Sequence, residues 1–120
     1  MPRVLVVDDA KTMRDTLKDL LIPQGFEVVE AENGEQGLEM MAAHAIDLVI
    51  SDLNMPGMDG LTMCGHIKTQ GYTTPIFMLT TQTSPELKAQ AKTCGVLAWI
   101  VKPHKDEALL QGIRKVLKMA

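Results

Sequence analysis

Aromatic side chains are scarce in this sequence and make up only 3% of its 120 residues. Proteins that bind single-stranded nucleic acids stack bases on aromatic rings, and this chain has too few rings to form such a surface. An excess of positive charge is also lacking, since the formal net charge is -3 at pH 7. Because binding to a phosphate backbone requires clustered basic residues, the composition argues against nucleic acid as a partner.

Cysteines are few as well, and long apolar runs are absent. Cys64 and Cys94 lie in neither a CxxC motif nor the Cys/His spacing of a zinc site, so we expect free thiols in a reducing compartment. No run is long enough to cross a membrane, and no signal peptide with a cleavage site is evident. We therefore expect a cytoplasmic protein with no membrane association, which forms a single domain over residues 1–120 and is a monomer.

Five short apolar runs predict β-strands at residues 4–7, 26–29, 47–50, 75–79 and 98–101. The first, third and fourth runs are almost continuously apolar, which is typical of strands that are covered on both faces. The second run includes Glu27 and is followed by Glu30, and this alternation indicates a more exposed edge strand.

Segments with helical periodicity separate the strands. Hydrophobic residues recur at helical spacing in residues 13–21, 87–94 and 109–117. Pro23 and Gly25 predict the end of the first helix, while Asn33, Asp59 and Ser84 are typical N-cap residues for the next three. Strands that alternate with helices predict a doubly wound α/β fold, in which helices cover both faces of a five-stranded parallel sheet.

Polar side chains follow four of the five predicted strands. Asp8 and Asp9 follow the first strand, Asp52 the third, Thr80 the fourth and Lys102 the fifth. Ligands of open α/β sheets bind at the carboxyl ends of the strands. If the first and third strands are neighbours, three carboxylates converge there, and their repulsion requires a cation.

Oxygen ligands of this kind suit Mg²⁺. The nearby ammonium and hydroxyl groups are what an incoming phosphoryl group needs for charge neutralisation and hydrogen bonding. Each residue taken alone has an ordinary structural explanation, since a strand-end Asp often forms a turn. Together they indicate a magnesium-dependent phosphoryl site, and they leave open whether the protein is a catalyst or a switch.

Residues 6–9, 51–60, 78–80 and 101–103 carry a resemblance to a known family. With the sequences VVDD, SDLNMPGMDG, MLT and VKP, the chain resembles the receiver domains of two-component response regulators, and within them the stand-alone chemotaxis type. The similarity extends over essentially the whole chain. It implies a flavodoxin-like (βα)5 fold with strand order 2-1-3-4-5.

The resemblance implies roles for the acidic residues. Asp52 would be the phosphoacceptor and would receive a phosphoryl group from a sensor histidine kinase. Asp9, Asp52 and the backbone carbonyl of Asn54 would bind Mg²⁺ directly, and Asp8 would do so through water.

It also implies roles for residues at the ends of the last two strands. Lys102 would pair with the phosphoryl oxygens, and the Lys102–Pro103 peptide bond would be cis. Thr80 would hydrogen-bond to the phosphoryl group, and Trp99 would occupy the position of an aromatic switch. Asn54 and Gln82 would tune the hydrolysis of the phospho-aspartate.

The output of such a domain would be docking to another protein. We expect the docking surface on the helices around Leu87 and Leu109 and on the last strand, which carries Trp99. A flagellar motor switch protein is one candidate target, and a phosphatase is a further candidate partner. His104 departs from the Phe that often follows Lys-Pro in the family and is expected to alter the surface beside the last helix.

Two other protein classes remain as alternatives to a non-enzymatic switch that catalyses its own phosphorylation and dephosphorylation. A haloacid dehalogenase-like phosphatase also uses a strand-end Asp with Mg²⁺, but it needs a second Asp where this chain has Asn54. A flavodoxin-like cofactor carrier would need a hydroxyl- and glycine-rich phosphate loop after the first strand. There the chain has Asp8 and Asp9, whose charges would repel a phosphate.

Overall fold

A parallel five-stranded sheet forms the centre of the structure, a computed structural model that describes residues 1–119. Its strands are β1 (Arg3–Val7), β2 (Glu27–Ala31), β3 (Leu48–Ser51), β4 (Ile76–Thr80) and β5 (Val96–Val101). They lie in the order β2-β1-β3-β4-β5, and every neighbouring pair is parallel. The predicted doubly wound (βα)5 fold and its strand order 2-1-3-4-5 are confirmed.

Five α-helices connect and follow the strands. They are α1 (Lys11–Leu21), α2 (Gly34–Ala43), α3 (Gly60–Thr69), α4 (Pro85–Thr93) and α5 (Asp106–Val116). Within residues 1–119, none of these helices combines the length and the apolar character needed to cross a bilayer.

The end of α1 differs slightly from the expectation. A 3₁₀ turn over Ile22–Gln24 continues the helix through Pro23, and Gly25 then reverses the chain with a φ of 93°. Proline is tolerated in the first positions of a helical turn, where its missing N–H is not needed. The positive φ that ends the segment is one that glycine adopts readily.

Several strand boundaries also differ from the predicted runs. Phe26 precedes β2, and its side chain is fully buried in the core. Asp47 precedes β3, and its carboxylate accepts a hydrogen bond from the backbone N–H of Arg3 at 2.7 Å. β5 begins at Val96, earlier than predicted, directly after Gly95 with its φ of 87°. Phe26 is therefore apolar and buried without joining the sheet, whereas Val96 joins the sheet outside the predicted run.

The predicted N-caps are present. The Asn33 side chain accepts a hydrogen bond from the Gln36 backbone N–H at 2.8 Å, and the Gln36 side chain accepts one in return from the N–H of Glu32 at 2.6 Å. The reciprocal bond therefore reaches one residue further back than in a standard capping box. Asp59 and Ser84 likewise accept hydrogen bonds from amides in the first turns of α3 and α4.

The alternation of strand side chains divides the core between the two faces of the sheet. Leu5 and Val7 of β1 pack with residues of α2, α3 and α4, whereas Val4 and Val6 pack with residues of α1 and α5. Both hydrophobic clusters thus share the same strands. β2 is an edge strand, as its glutamates predict, and Glu27 is exposed.

Candidate functional site

Three carboxylates converge at the carboxyl edge of the sheet. β1 and β3 are neighbours, with Val7 opposite Ser51, so the residues that follow them meet. Carboxylate oxygens of Asp8, Asp9 and Asp52 all lie within 4.8 Å of one another. The structure therefore brings together the three acidic residues that the sequence indicated.

Asp8 is the most buried of the three, with 3% of its surface exposed. Burial raises its pKa above the usual range, the hydrogen bond from the Ala10 backbone N–H at 2.9 Å opposes this effect, and the nearby Asp52 carboxylate raises the pKa further. Because Asp8 binds the amide of Ala10, which precedes α1, it does not cap an amide within that helix. α1 has no side-chain N-cap.

Asp52 is held by the backbone on both sides. Its N–H donates to the Val7 carbonyl at 2.9 Å, and its Oδ1 accepts a hydrogen bond from the Leu53 N–H at 2.8 Å. The hydroxyl of the buried Ser51 donates to the Asp52 carbonyl at 2.8 Å. The side chain remains 14% exposed, so its carboxylate is fixed in direction and still accessible.

Lys102 links the last strand to the acidic residues. Its Nζ lies 3.7 Å from Asp8 Oδ2 and 3.7 Å from Asp52 Oδ1. Its backbone N–H donates to the Thr80 carbonyl at 2.8 Å, and the peptide bond to Pro103 is cis, as expected. One ammonium group thus stands between two carboxylates that come from different strands.

Thr80 and Trp99 are connected through the backbone of Gln82. Thr80 is fully buried, and its Oγ1 accepts a hydrogen bond from the Gln82 N–H at 3.1 Å. The indole Nε1 of Trp99 donates to the Gln82 carbonyl at 2.9 Å. The sequence placed all three residues near the site, but it gave no sign of this connection.

Asn54 lies in the loop after Asp52 and is exposed. It lines a groove of about 450 Å³ between α3 and α4, together with Leu53. In the same loop Met55 is only 8% exposed, and a Cβ at Gly34 would meet the side chain of Met58 at 2.8 Å. The two methionines of this loop therefore pack against the body of the domain.

His104 lies just before α5, and its side chain is largely buried. Its side chain is 9% exposed and lines a cleft of about 570 Å³ between α1 and the loop before α5. Its Nε2 lies 3.2 Å from a carboxylate oxygen of Asp106, outside hydrogen-bonding geometry.

Arg14 was not identified from the sequence. It lies on α1, and its guanidinium donates to the backbone carbonyl of Asp8 at 2.7 Å and to the Glu30 carboxylate at 3.1 Å. The only signal in the sequence was its position about one helical turn beyond Asp8 and Asp9. That signal was not sufficient, because an arginine on an amphipathic helix is usually solvated.

The acidic residues suit a hard divalent cation. Three carboxylate groups offer only oxygen ligands, which match Mg²⁺ better than zinc. Asp8 is buried and negatively charged beside two other carboxylates, with Lys102 as the nearby positive charge. Among the residues described, this is the group of acidic, histidine and cysteine side chains that could hold a metal ion.

The fold and the site together define a class of α/β proteins with an acidic pocket and a lysine at the carboxyl ends of a 2-1-3-4-5 sheet. The sequence profile of the response regulator receiver domain matches residues 4–114. The chain therefore belongs to the receiver domain family of two-component systems.

Curated relatives agree with this assignment. The chain is 41% identical over 116 residues to the chemotaxis protein CheY of Bacillus subtilis, and the match covers 96% of this chain and 97% of that protein. It is 37% identical to the response regulator FleR of Pseudomonas aeruginosa but spans only 24% of it. It spans 50% of the response regulator MprA of Mycolicibacterium vanbaalenii at 33% identity.

Solved structures show the same fold. CheY4 of Vibrio cholerae superposes with a TM-score of 0.91 at 40% identity, covering 97% of this chain and 98% of that chain. TrrA of Thermotoga maritima, solved in complex with Mg²⁺-BeF, superposes with a TM-score of 0.88 at 33% identity, covering 97% and 99%.

Family membership carries general functional consequences. Receiver domains are signalling switches that take phosphoryl groups from histidine kinases and act on output targets. The matches are to receivers, and they give no support to the haloacid dehalogenase-like phosphatase that the sequence left as an alternative.

Proposed function

We propose that Asp52 is the phosphoacceptor of this receiver domain. The observation that carries the proposal is the position of Lys102, whose ammonium lies 3.7 Å from the carboxylates of both Asp8 and Asp52. A phosphoryl group on Asp52 would add negative charge next to that ammonium. The side chain of Asp52 is accessible and its direction is fixed by the Leu53 amide, as a nucleophile requires.

The protein groups that phosphoryl transfer would use all lie at this edge. A carboxylate oxygen of Asp52 attacks the phosphorus of a phosphohistidine, the P–N bond breaks, and its electron pair remains on the imidazole. Lys102 neutralises the equatorial oxygens as they develop charge. The Thr80 hydroxyl hydrogen-bonds to the transferred group.

The metal is held by the acidic residues. Asp9 and Asp52 would bind Mg²⁺ through their carboxylates, Asn54 through its carbonyl, and Asp8 through water. A bound Mg²⁺ neutralises charge on the carboxylates and the phosphoryl oxygens. The 4.8 Å convergence of Asp8, Asp9 and Asp52 supports this assignment.

Phosphorylation is read out through Thr80 and Trp99. Movement of the Thr80 hydroxyl toward the phosphoryl group would shift Gln82, whose carbonyl accepts the indole hydrogen bond. Trp99 is half-buried, and burying the remainder of such a side chain contributes about 1 kcal/mol, which shifts a two-state equilibrium roughly fivefold. Asn54 and Gln82 flank the site and would tune hydrolysis of the phospho-aspartate.

The output is docking on the face formed by α4, β5 and α5. Leu97 and Val101 of β5 are 63% and 39% exposed, and these apolar side chains lie on the sheet edge that carries Trp99. We assign residues 1–120 to a single receiver domain of chemotaxis type. It is a cytoplasmic monomer and a switch rather than an enzyme. A chemotaxis-type histidine kinase phosphorylates it. A flagellar motor switch protein and a phosphatase are candidate partners.

The test is incubation with acetyl phosphate and Mg²⁺, followed by intact-protein mass spectrometry. Wild-type protein is expected to gain one phosphoryl group, and Asp52→Asn is expected to gain none. Asp59→Asn is the matched control, because Asp59 is an exposed carboxylate that caps α3. Equal phosphorylation of the wild type and Asp52→Asn would contradict the assignment.

A separate fluorescence experiment tests the switch, because Trp99 is the sole tryptophan. Beryllofluoride with Mg²⁺ is expected to shift its emission and reduce its quenching by acrylamide. Thr80→Ala should bind beryllofluoride and lose most of this change. Unchanged spectra in the wild type would exclude Trp99 from the output mechanism.

A further inference from the structure

Arg14 makes contacts that packing alone does not explain. Its side chain is only 12% exposed, yet it lies on the surface helix α1. Nη1 donates to the backbone carbonyl of Asp8 at 2.7 Å, and Nε donates to Oε1 of Glu30 at 3.1 Å. Removing a guanidinium from water is unfavourable unless its donors are satisfied. Here one donor is directed at the backbone between two proposed metal-binding residues.

Glu30 fixes the orientation of that guanidinium. It lies on β2, and Lys18 binds its other carboxylate oxygen at 3.0 Å. Hydrogen bonds from Lys18 and then from Arg14 lower the pKa of Glu30, so it is ionised at neutral pH. A planar guanidinium held at one edge by a carboxylate can present its other edge in only one direction.

The Asp8 carbonyl belongs to the peptide that leads into Asp9. Because that peptide is planar, a contact that holds its carbonyl oxygen also holds the Asp9 Cα, from which the Asp9 side chain extends. The Asp8 N–H donates to the Ala31 carbonyl at 3.1 Å, and the Ala10 N–H donates to Asp8 Oδ1 at 2.9 Å. Both contacts fix Asp8 itself. The contact from Arg14 is the one made to the peptide that leads into Asp9.

We propose that Arg14 is a positioning residue of the acidic site. Oriented by Glu30, it holds the Asp8–Asp9 peptide so that the Asp9 carboxylate stays within reach of a cation shared with Asp8 and Asp52. The inference rests on the proposed Mg²⁺ site, and it adds the edge strand β2 to the structural elements that determine metal affinity. Groups that orient metal ligands from outside typically change metal affinity by about 10–100-fold when they are removed.

Charge and position make opposite predictions for Arg14. A positive charge near three carboxylates weakens their attraction for a cation, so removing it should strengthen Mg²⁺ binding if charge is its only effect. If Arg14 positions the Asp9 carboxylate, removing it should weaken Mg²⁺ binding in spite of the lost repulsion. The sign of the change therefore separates the two explanations.

The experiment is a titration with Mg²⁺ alone, monitored by backbone amide NMR shifts, on the wild type, Arg14→Met and Lys11→Met. Arg14→Met is expected to weaken Mg²⁺ binding by about tenfold. Lys11 is the matched control: it lies on the same helix with a side chain that is 77% exposed, and its ammonium binds Asp15 rather than the loop. Lys11→Met is expected to leave the affinity unchanged or slightly higher.

Two further variants keep the test decisive. Arg14→Lys retains the charge but cannot bridge the carbonyl and Glu30 with a rigid fork, and it should also weaken Mg²⁺ binding. Glu30→Gln should do so to a smaller extent, since the contact to Asp8 remains. Urea unfolding in EDTA measures the stability of each metal-free variant. If Arg14→Met does not fold, Arg14→Lys provides the comparison.

The outcomes separate this inference from the proposed function. Wild-type protein that binds no Mg²⁺ would overturn the proposed metal site and this inference together. Wild-type binding that is retained at full strength, or strengthened, in the Arg14 variants would overturn this inference alone. Asp9→Asn is expected to weaken binding more than any Arg14 variant, because it removes a ligand rather than its support.

Discussion

The carboxylates of Asp8 and Asp52 face a single ammonium group, that of Lys102. Negative groups therefore outnumber positive ones, and this explains much of the chemistry of the site. Lys102 lies 3.7 Å from each carboxylate, a distance at which charges attract without a tight hydrogen bond. The Asp9 carboxylate lies beside these two and adds a third negative group to the site. The site therefore retains an excess of negative charge that a divalent cation can neutralise, and the burial of Asp8 makes that excess more costly in free energy.

The two cysteines differ in burial, and we expect them to differ in reactivity. Cys64 is fully buried on α3, and burial raises the pKa of its thiol to about 12, whereas Cys94 is partly exposed after α4. The thiolate is the reactive form. A rise from 9.0 to about 12 lowers its population at neutral pH roughly a thousandfold.

We therefore expect iodoacetamide at about pH 8 to alkylate Cys94 and spare Cys64 in the folded protein. Mass spectrometry should show a single addition in the native state and two additions in urea. Cys94→Ser should react very slowly until it is unfolded, and Cys64→Ser should react as the wild type does. Rapid double alkylation of the native protein would show that α3 opens readily.

At the level of residues, sequence reasoning succeeded where chemistry follows directly from position in a strand. Asp8, Asp9, Asp52, Thr80 and Lys102 were found because parallel strands all end at the same edge. Arg14 was missed because its role depends on the direction of a long side chain across two elements.

At the level of elements, α3 is placed by a close approach that only glycine permits. Gly60 is the first residue of α3 and is buried, and a Cβ there would overlap the backbone carbonyl oxygen of Asp52. Its N–H donates to the Leu53 carbonyl at 2.8 Å. The start of the helix therefore packs directly behind the proposed phosphoacceptor.

Gly60→Ala is expected to destabilise the protein by about 2 kcal/mol, because backbone must move to relieve the overlap. The matched control is Gly65→Ala in the same helix, where an added Cβ meets nothing within 4 Å. That change should stabilise the protein by about 0.5–1 kcal/mol, since alanine is the better helix former. Urea unfolding measures both, and equal effects of the two substitutions would contradict this account.

Elements were predicted well wherever one local signal was sufficient. Apolar runs identified all five strands, and Asn33, Asp59 and Ser84 identified helix starts, because capping depends on neighbours a few residues away. Boundaries were less accurate. Phe26 is apolar and buried without belonging to β2, since hydrophobicity reports burial and not hydrogen bonding in a sheet.

At the level of the whole molecule, the two hydrophobic clusters cannot separate. They lie on opposite faces of the sheet, and alternate residues of the same strands supply both. Trp99 packs against the cluster beneath α2, α3 and α4, whereas Leu17 lies in the cluster beneath α1 and α5. Loss of either cluster exposes one face of every central strand, so we expect a single cooperative unit.

Urea unfolding followed by Trp99 fluorescence and by far-UV circular dichroism should therefore give coincident transitions. Leu17→Ala, which removes buried methyl groups on the face opposite Trp99, should lower the stability by about 2–4 kcal/mol. Both probes should report the same shift. A fluorescence transition that is unaffected by Leu17→Ala would mean that the two faces unfold independently.

The contact between Lys102 and Asp8 has a consequence for the order of events during protein synthesis. The ribosome delivers the acidic residues of β1 first and the ammonium of β5 last. A nascent chain that ends before β5 carries the carboxylates without their lysine. We therefore expect that the protein can accept a phosphoryl group only when nearly the entire domain has been translated and folded. An incomplete chain lacks the lysine that would neutralise charge at the site.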